Sequence, residues 1–313
     1  MKSIVFSANT SWYLYNFKLK TILAFKEKGF QVYCISPFDE YTKELIDKSN
    51  CKWLDVKIDN QGSNPVIDLF FCWSLFKLYK KIKPVIVFHF TIKNNIYGTW
   101  AAKLAKTNAV NNVSGLGTSF INSGMTSFIV RWLYKLSQPL AHKVFCQNED
   151  DYKLLIEERL VPTAKLDMLP GSGVDVVRFN PNLLNNNTDI FVFLYVGRML
   201  GDKGLNELIN ASKKLYTIRQ DFTLQLCGFS GAKNSSAIPV STLDEWKDLP
   251  FIDYIGPSNH IESIYAKADC IVLPSYREGM PRSLLEAGAM GLPSITTDVP
   301  GCHNIIIDCY NGL

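Results

Sequence analysis

The chain has 313 residues, 47% apolar and 20% charged, which is enough to bury a core and argues against disorder; at roughly 100–200 residues per domain, two domains are expected. Its formal net charge of +4, from 33 basic and 29 acidic residues, is too mild for a dedicated nucleic-acid binder. Eight cysteines without a CxxC pair read as free or buried thiols of a reducing compartment, and Cys302, His303 and Cys309 lack the second ligand pair that a zinc site needs.

The N-terminus carries one lysine and then a short apolar run, without the longer apolar core and cleavage site of a signal peptide. No stretch of about 18 uncharged apolar residues predicts a spanning helix. "SIVFSA" predicts a strand, and "NFKLKTILAFKEKGF" a helix that closes at Gly29. "QVYCISP" predicts a strand, "DLFFCWSLFKLYKKIK" a helix stopping before Pro84, "PVIVFHF" a strand, "IYGTWAAKLAKT" a helix and "AVNNVSG" a strand. This alternation predicts a parallel sheet with helices on both faces. Periodicity vanishes in "FNPNLLNNNTD", residues 179–189, which reads as a linker.

The pattern then restarts with "IFVFLYVG" (strand), "LNELINASKKLY" (helix), "FTLQLCG" (strand), "HIESIYAKA" (helix), "DCIVLPS" (strand), "SLLEAGAM" (helix) and "PSITTD" (strand). The expected fold class is α/β: two Rossmann-like doubly wound domains, 1–178 and 190–313, with a cleft between them. Open α/β sheets take ligands outside the carboxyl ends of their strands. The closing "CYNGL" stops on an Asn-Gly turn, so the C-terminal end is expected to be truncated and the second domain incomplete.

Gly197 is placed to turn the backbone sharply after its strand, and Arg198 and Lys203 follow just before the next helix. A planar guanidinium and a point ammonium near a helix N-terminus suit a diphosphate; two solvated surface cations are the plainer alternative. Further on, "YREGMPRSLLEAGAM" sets Glu278 in a loop and Glu286 one to two turns into a helix, with Pro281 as an early helix residue and Ser283 as a cap. Eight helical steps span about 12 Å. A hydrolase pair needs its carboxyls roughly 5–10 Å apart. The longer spacing suits two acceptors at opposite ends of one elongated ligand, gripping sugar and ribose hydroxyls. Gly279, Met280, Pro281, Ser283 and Leu284 lie between them, and all of these but Pro281 have backbone N–H groups to meet phosphates. The alternative for Glu286 is an ordinary surface position.

"VGRML…DKG" followed by "EGMPRSLLEAGAMGLPSITTDVPG" resembles the E-x7-E signature of the family 4 retaining glycosyltransferases, which have the GT-B fold. "SWYLYNFKLKTILAFKEKGFQVYCISP", "NPVIDL", "KIKPVIVFHFTIKNNIYGTWAAKLAK" and "NNVSGLGTSF" resemble a bacterial subgroup that builds polysaccharides or glycans on a polyprenyl diphosphate, and "LPGSGVDVVRFNP" matches the usual crossing into the second domain. The resemblance implies transfer of a hexose or N-acetylhexosamine from a nucleotide sugar, UDP-linked, to a lipid-linked sugar in cell-surface polysaccharide biosynthesis such as capsule or O-antigen. It implies an enzyme peripheral on the inner face of the cell membrane, without a metal and without nucleic acid. By that resemblance Arg198 and Lys203 hold the donor diphosphate, Glu278 contacts the donor sugar near the reacting centre, and Glu286 binds ribose hydroxyls. Retention follows from front-face attack, with the leaving phosphate helping to deprotonate the acceptor.

Two departures from the family pattern bear on the acceptor. "SANTSWY" stands where many relatives carry Gly-Gly, and "NNVSG", with Asn112, where many carry a histidine. His89, Lys93, Asn112 and Gly115 therefore become candidates for acceptor or sugar contacts. His89 is expected to face the cleft, against the alternative of a buried strand-end histidine; Lys93 has a solvated surface role as its alternative. Aromatic and basic residues share two helices, Phe70, Phe71, Trp73, Phe76 and Tyr79 beside Lys77, Lys80, Lys81 and Lys83, and Trp132 and Tyr134 beside Arg131 and Lys135, which suits an anionic lipid surface, against the alternative of apolar helices that simply cover a sheet with their lysines solvated. A sugar-nucleotide epimerase of the same fold and a non-catalytic subunit binding a nucleotide sugar or lipid are the competing readings. A dinucleotide oxidoreductase is weak, because no GxGxxG opens the first helix.

Overall fold

The computed structural model describes residues 1–60, 64–116, 124–185, 189–231 and 236–313. Residues 117–120 of "NNVSGLGTSF" and 186–188 of the expected linker lie outside the described residues. The chain divides into two compact units, Met1–Ser172 and Gly173–Leu313.

In the first unit seven strands form one parallel sheet: β1 (Ser3–Ser7), β2 (Gln31–Ser36), β3 (Lys52–Asp55), β4 (Ile86–Phe90), β5 (Asn108–Val113), β6 (Lys143–Cys146) and β7 (Leu166–Met168). Their order is β3-β2-β1-β4-β5-β6-β7, so the sequence of strands reverses between β1 and β4. Helices α1 (Ser11–Glu27) and α2 (Thr42–Ser49) cover one face, burying Leu14, Ile22 and Leu45 against Ile4, Phe6 and Val32. α3 (Pro65–Ile82), α4 (Thr99–Leu104) and α5 (Met125–Ser137) cover the other, where Phe71, Leu75, Ala101 and Tyr134 meet Val5, Val87 and Ala109; α6 (Glu149–Glu157) adds Leu155. One π-turn, Asn94–Gly98, leads into α4. Helix starts follow local chemistry: Thr10 Oγ1 accepts from Tyr13 N at 3.0 Å, and Asn64 Oδ1 accepts from Val66 N at 3.0 Å ahead of Pro65.

The second unit holds five parallel strands, β8 (Phe191–Val196), β9 (Phe222–Cys227), β10 (Ile252–Gly256), β11 (Cys270–Leu273) and β12 (Ser294–Thr296). Their order is β10-β9-β8-β11-β12, reversing between β8 and β11. α7 (Leu205–Tyr216), α8 (Val240–Lys247), α9 (Ile261–Tyr265) and α10 (Arg282–Met290) pack on this sheet. The described residues of the expected linker, 179–185 and 189, instead join this unit. Phe179 is fully buried, edge-on to Tyr265 at a centroid distance of 5.7 Å, and Arg178 pairs with Glu262 at 2.6 Å. The crowded Asn and Pro residues build a capped turn, in which Asn180 Oδ1 accepts from Asn182 N at 3.0 Å. The boundary between units accordingly falls after Ser172 rather than after residue 178.

His89 departs from the expectation of an exposed ligand contact. It is 0% exposed in β4, its Nδ1 is 2.8 Å from Asn111 Oδ1, and its Nε2 is 3.0 Å from the Tyr79 hydroxyl. An amide oxygen only accepts, so Nδ1 carries the proton and Nε2 accepts from Tyr79. Both nitrogens are thus used inside the core, and burial pushes the pKa down to about 4. The unfolded chain binds this proton near pH 6.5 and the folded chain does not. The neutral form therefore contributes stability that is fully present above pH 6.5 and lost as the pH falls toward 4, with a ceiling of about 3 kcal/mol. Urea unfolding between pH 7 and pH 4 will show this loss in the native chain, and the difference from His89→Gln will shrink across the same window.

Candidate functional site

The carboxyl ends of β8 and β11 flank the point where the second sheet reverses, the place where a doubly wound sheet opens a crevice. The loop after β8 runs through Gly197 and Arg198 into a tight turn, Gly201–Lys203, and then α7. The loop after β11 runs from Pro274 to Pro281 and enters α10. Backbone hydrogen bonds tie these loops to their neighbours. Gly197 N donates to Cys227 O at 3.0 Å, Tyr276 N to Asp202 O at 3.0 Å, and Glu278 N to Pro300 O at 3.0 Å.

Two glycines allow this packing. Gly204 has φ +70°, and a Cβ there would lie 1.9 Å from Pro274 O. Gly301 would set a Cβ 2.6 Å from Glu278 O. Gly197 matters differently from the expectation of a sharp turn. Its φ is not positive, but a Cβ would lie 2.7 Å from the Tyr195 hydroxyl, which donates to Arg198 O at 2.8 Å. The requirement at Gly197 is room rather than backbone freedom.

The structure brings Lys203 and Glu278 together. Lys203 Nζ donates to Glu278 Oε1, joining the loops after β8 and β11 across the reversal, and both side chains are mostly buried. Arg198 extends from the same loop into solvent. Gly279 and Pro281 are buried, and Met280 and Ser283 are half-buried. Ser283 does not cap the helix: α10 starts at Arg282 with Pro281 as its N-cap and no side-chain cap, so Pro281 precedes the helix. Leu284 is buried in the core cluster rather than lining a surface.

Glu286 is 6% exposed, which removes the surface-helix alternative. Its Oε1 lies 2.9 Å from Arg282 Nη2, and the Tyr265 hydroxyl donates to its Oε2 at 3.2 Å. Burial raises its pKa, opposed first by the Arg282 charge and then by the Tyr265 hydrogen bond. Arg282 and Tyr265 were not singled out from the sequence. Arg282 stands four residues before Glu286, the spacing at which helix side chains meet, so that signal was present. Tyr265 comes from α9, 21 residues away, and left none.

The first-unit candidates do not gather into one comparable cluster. Lys93 Nζ is held by the buried Asp68 at 2.5 Å, so it is not the solvated surface cation of the alternative. Asn112 is buried at the end of β5: its main-chain oxygen accepts from Asn95 Nδ2 at 3.0 Å and its Oδ1 from Ser114 Oγ at 3.3 Å. Gly115 follows it with φ +106°. On α5, Arg131 is not a cation open to a lipid surface, because its guanidinium pairs with Glu158 Oε2 at 2.7 Å and also donates to Ser127. Trp132 and Lys135 are exposed. Trp132 joins Met125 and Phe128 in an exposed apolar stripe, 54%, 76% and 67% exposed respectively. Among the described residues no helix is long and apolar enough to cross a membrane.

Comparison with known proteins agrees with both halves. Residues 177–313 match the family model of glycosyl transferases group 1, and residues 3–148 match that of glycosyl transferase 4-like proteins. The chain is similar, at 28% identity over 316 residues, to the N,N'-diacetylbacillosaminyl-diphospho-undecaprenol alpha-1,3-N-acetylgalactosaminyltransferase of Campylobacter jejuni; the alignment covers 96% of this chain and 81% of the relative. It is 29% identical over 253 residues to the UDP-Gal:alpha-D-GlcNAc-diphosphoundecaprenol alpha-1,3-galactosyltransferase of Escherichia coli, covering 76% of this chain and 64% of that one. Among solved structures, sucrose-phosphate synthase from Thermosynechococcus elongatus superposes with a TM-score of 0.79 at 17% identity, over 100% of this chain and 85% of that one. The fold is that of the GT-B glycosyltransferases. Gly204→Ala is expected to lower the unfolding free energy by about 2 kcal/mol or more, through a strained backbone and a clash with Pro274; chemical denaturation beside the native chain measures it.

Proposed function

The chain belongs to the group 1 and 4-like glycosyltransferases, and from that premise we propose that it moves a hexose or N-acetylhexosamine from a UDP-sugar to a sugar carried on a polyprenyl diphosphate. The observation that carries this reading is the Lys203–Glu278 ion pair at the reversal of the second sheet, with Arg198 on the same loop and Glu286 on the helix behind. Both relatives are named for diphospho-undecaprenol-linked sugar acceptors, which supports the acceptor class.

The chemistry follows from the geometry. A donor diphosphate brings more negative charge to Lys203 than one carboxylate does, so Lys203 exchanges Glu278 for phosphate oxygens, and Arg198 forks onto the same group. Glu278, released, accepts hydroxyls of the donor sugar. Glu286, oriented by Arg282 and Tyr265, accepts ribose hydroxyls. The bond from the anomeric carbon to the phosphate oxygen breaks as the acceptor oxygen bonds to that carbon on the same face, and the acceptor proton passes to the leaving phosphate. Negative charge grows on UDP during this step, and the paired cations and backbone N–H groups before α10 stabilise it where other enzymes use a metal.

The first unit is the acceptor side of this reading. Its α3 and α5 present apolar side chains outward, Phe70 and Trp73 on one and Phe128 and Trp132 on the other. Val66, Leu69, Phe70, Trp73, Phe76 and Leu104 line a groove of about 490 Å³, with Lys77 Nζ 5.6 Å from the Trp73 ring centroid. Such a face suits the inner leaflet that presents a polyprenyl carrier.

UDP release from a panel of UDP-sugars tests the assignment. Release that rises with a lipid-linked acceptor is expected, whereas an epimerase or a binding subunit releases little. Lys203→Ala and Glu278→Ala are each expected to lower turnover at least a hundredfold, on the order of the loss for one group acting on transition-state charge; near-normal turnover in both removes these roles. Flotation with anionic liposomes is expected to retain the native protein and to lose Phe128→Glu combined with Trp132→Glu; equal flotation of both rejects the membrane face.

A further inference from the structure

One position in the first unit breaks the apolar pattern of its helix. α1 turns Ser11, Leu14, Lys18 and Ile22 inward, so Lys18 occupies a core-facing place between Leu14 and Ile22. Its side chain is only 6% exposed. The ammonium lies 4.7 Å from the centroid of the Phe90 ring and donates to Ser172 Oγ at 3.0 Å. Among the described residues no carboxylate pairs with it. Burial lowers its pKa to about 8, so the group is still largely charged at neutral pH.

A buried charge without a counter-charge destabilises a fold, and a residue that contradicts its local pattern marks a place where function overrides packing. The surroundings narrow the function. Phe90 closes β4, one of the two strands between which the first sheet reverses, so the ammonium sits near the edge where such sheets take ligands. The Tyr13 ring stands 5.8 Å from Phe90, and its hydroxyl shares a hydrogen bond of 2.7 Å with Ser114 Oγ. Ring faces and hydroxyls steady an ammonium without neutralising it, and its remaining N–H bonds are left for an anion.

We propose that Lys18 is the anion-binding residue of the acceptor subsite and takes a phosphate oxygen of the acceptor's diphosphate. The assignment rests on the reading of the chain as a transferase to a diphosphate-linked lipid. A neutral sugar hydroxyl leaves the charge uncompensated; a diphosphate supplies the missing counter-charge. Lys18 then reads the carrier rather than the sugar.

Lys18→Met keeps the length and removes the charge. With the lipid-linked acceptor it is expected to raise the acceptor KM about tenfold or more, the weight of one charge-assisted hydrogen bond, while raising Tm. An unchanged acceptor KM overturns the proposal. In the native protein, the Lys18 Nζ resonance is expected to shift and saturate with inorganic pyrophosphate, and no shift at millimolar pyrophosphate also overturns it. Pyrophosphate is expected to compete with the lipid acceptor in the native protein and to lose that competition in Lys18→Met. A resonance shift combined with an unchanged acceptor KM assigns the site to a free phosphate and rejects the acceptor role. UDP release by the native protein without acceptor judges the transferase reading separately, and the resonance measurement judges Lys18 even if that reading fails.

Discussion

An ammonium and a carboxylate meeting where a sheet changes direction tie together the two loops on which the proposed chemistry rests. Lys203 and Glu278 come from loops 75 residues apart, yet parallel strands all end on one edge, and the reversal between β8 and β11 puts those loops side by side. Without a ligand, each charge answers the other, so neither is left bare in a partly desolvated crevice. In the proposed reading, the same pairing keeps both groups aimed at the place where a diphosphate and its sugar arrive. Binding as proposed is then an exchange of partners inside a site that the loops have already formed.

The two units use burial in opposite ways. The second has a core of Leu, Ile, Val and aromatic side chains around one nearly buried carboxylate, Glu286. The first threads polar side chains through its interior: Ser7 Oγ donates to Asn94 Oδ1 at 2.6 Å, and Asn111 Nδ2 donates to Gln138 Oε1 at 2.6 Å and to Thr99 Oγ1 at 2.8 Å. This network pins the π-turn beside β4 and β5, and His89 belongs to it. Buried polar groups that are satisfied fix one arrangement of a segment better than apolar ones do.

The α/β alternation was legible because strands buried on both faces read as apolar runs, as in Cys270–Leu273, and because helices such as Leu205–Tyr216 keep a clear period. The short or edge strands β3, β7 and β10, with half their residues facing solvent, left no such run. The helical position of Glu286 and the loop position of Glu278 followed from the proline and the apolar period near them. What failed were readings that depended on distant partners. His89 is closed off by Tyr79 and Asn111, Lys93 by Asp68, and Arg131 by Glu158, and no local pattern announces a residue 10 to 27 positions away. The linker reading failed for a related reason: Phe179, within an Asn- and Pro-rich run, is the anchor that folds the run onto Tyr265.

Gly204 and Gly301 lie where backbones touch, with Pro274 and Glu278 as the neighbours. Side chains are closed to these positions, so the loops have almost no latitude to drift while the fold survives. On the proposed donor site, divergence toward another donor enters through residues that leave this backbone frame intact, such as the exposed Tyr276 or the half-buried Met280. A lineage changing its sugar would conserve the frame and edit its lining, and a library built to retarget the enzyme is best confined to that lining.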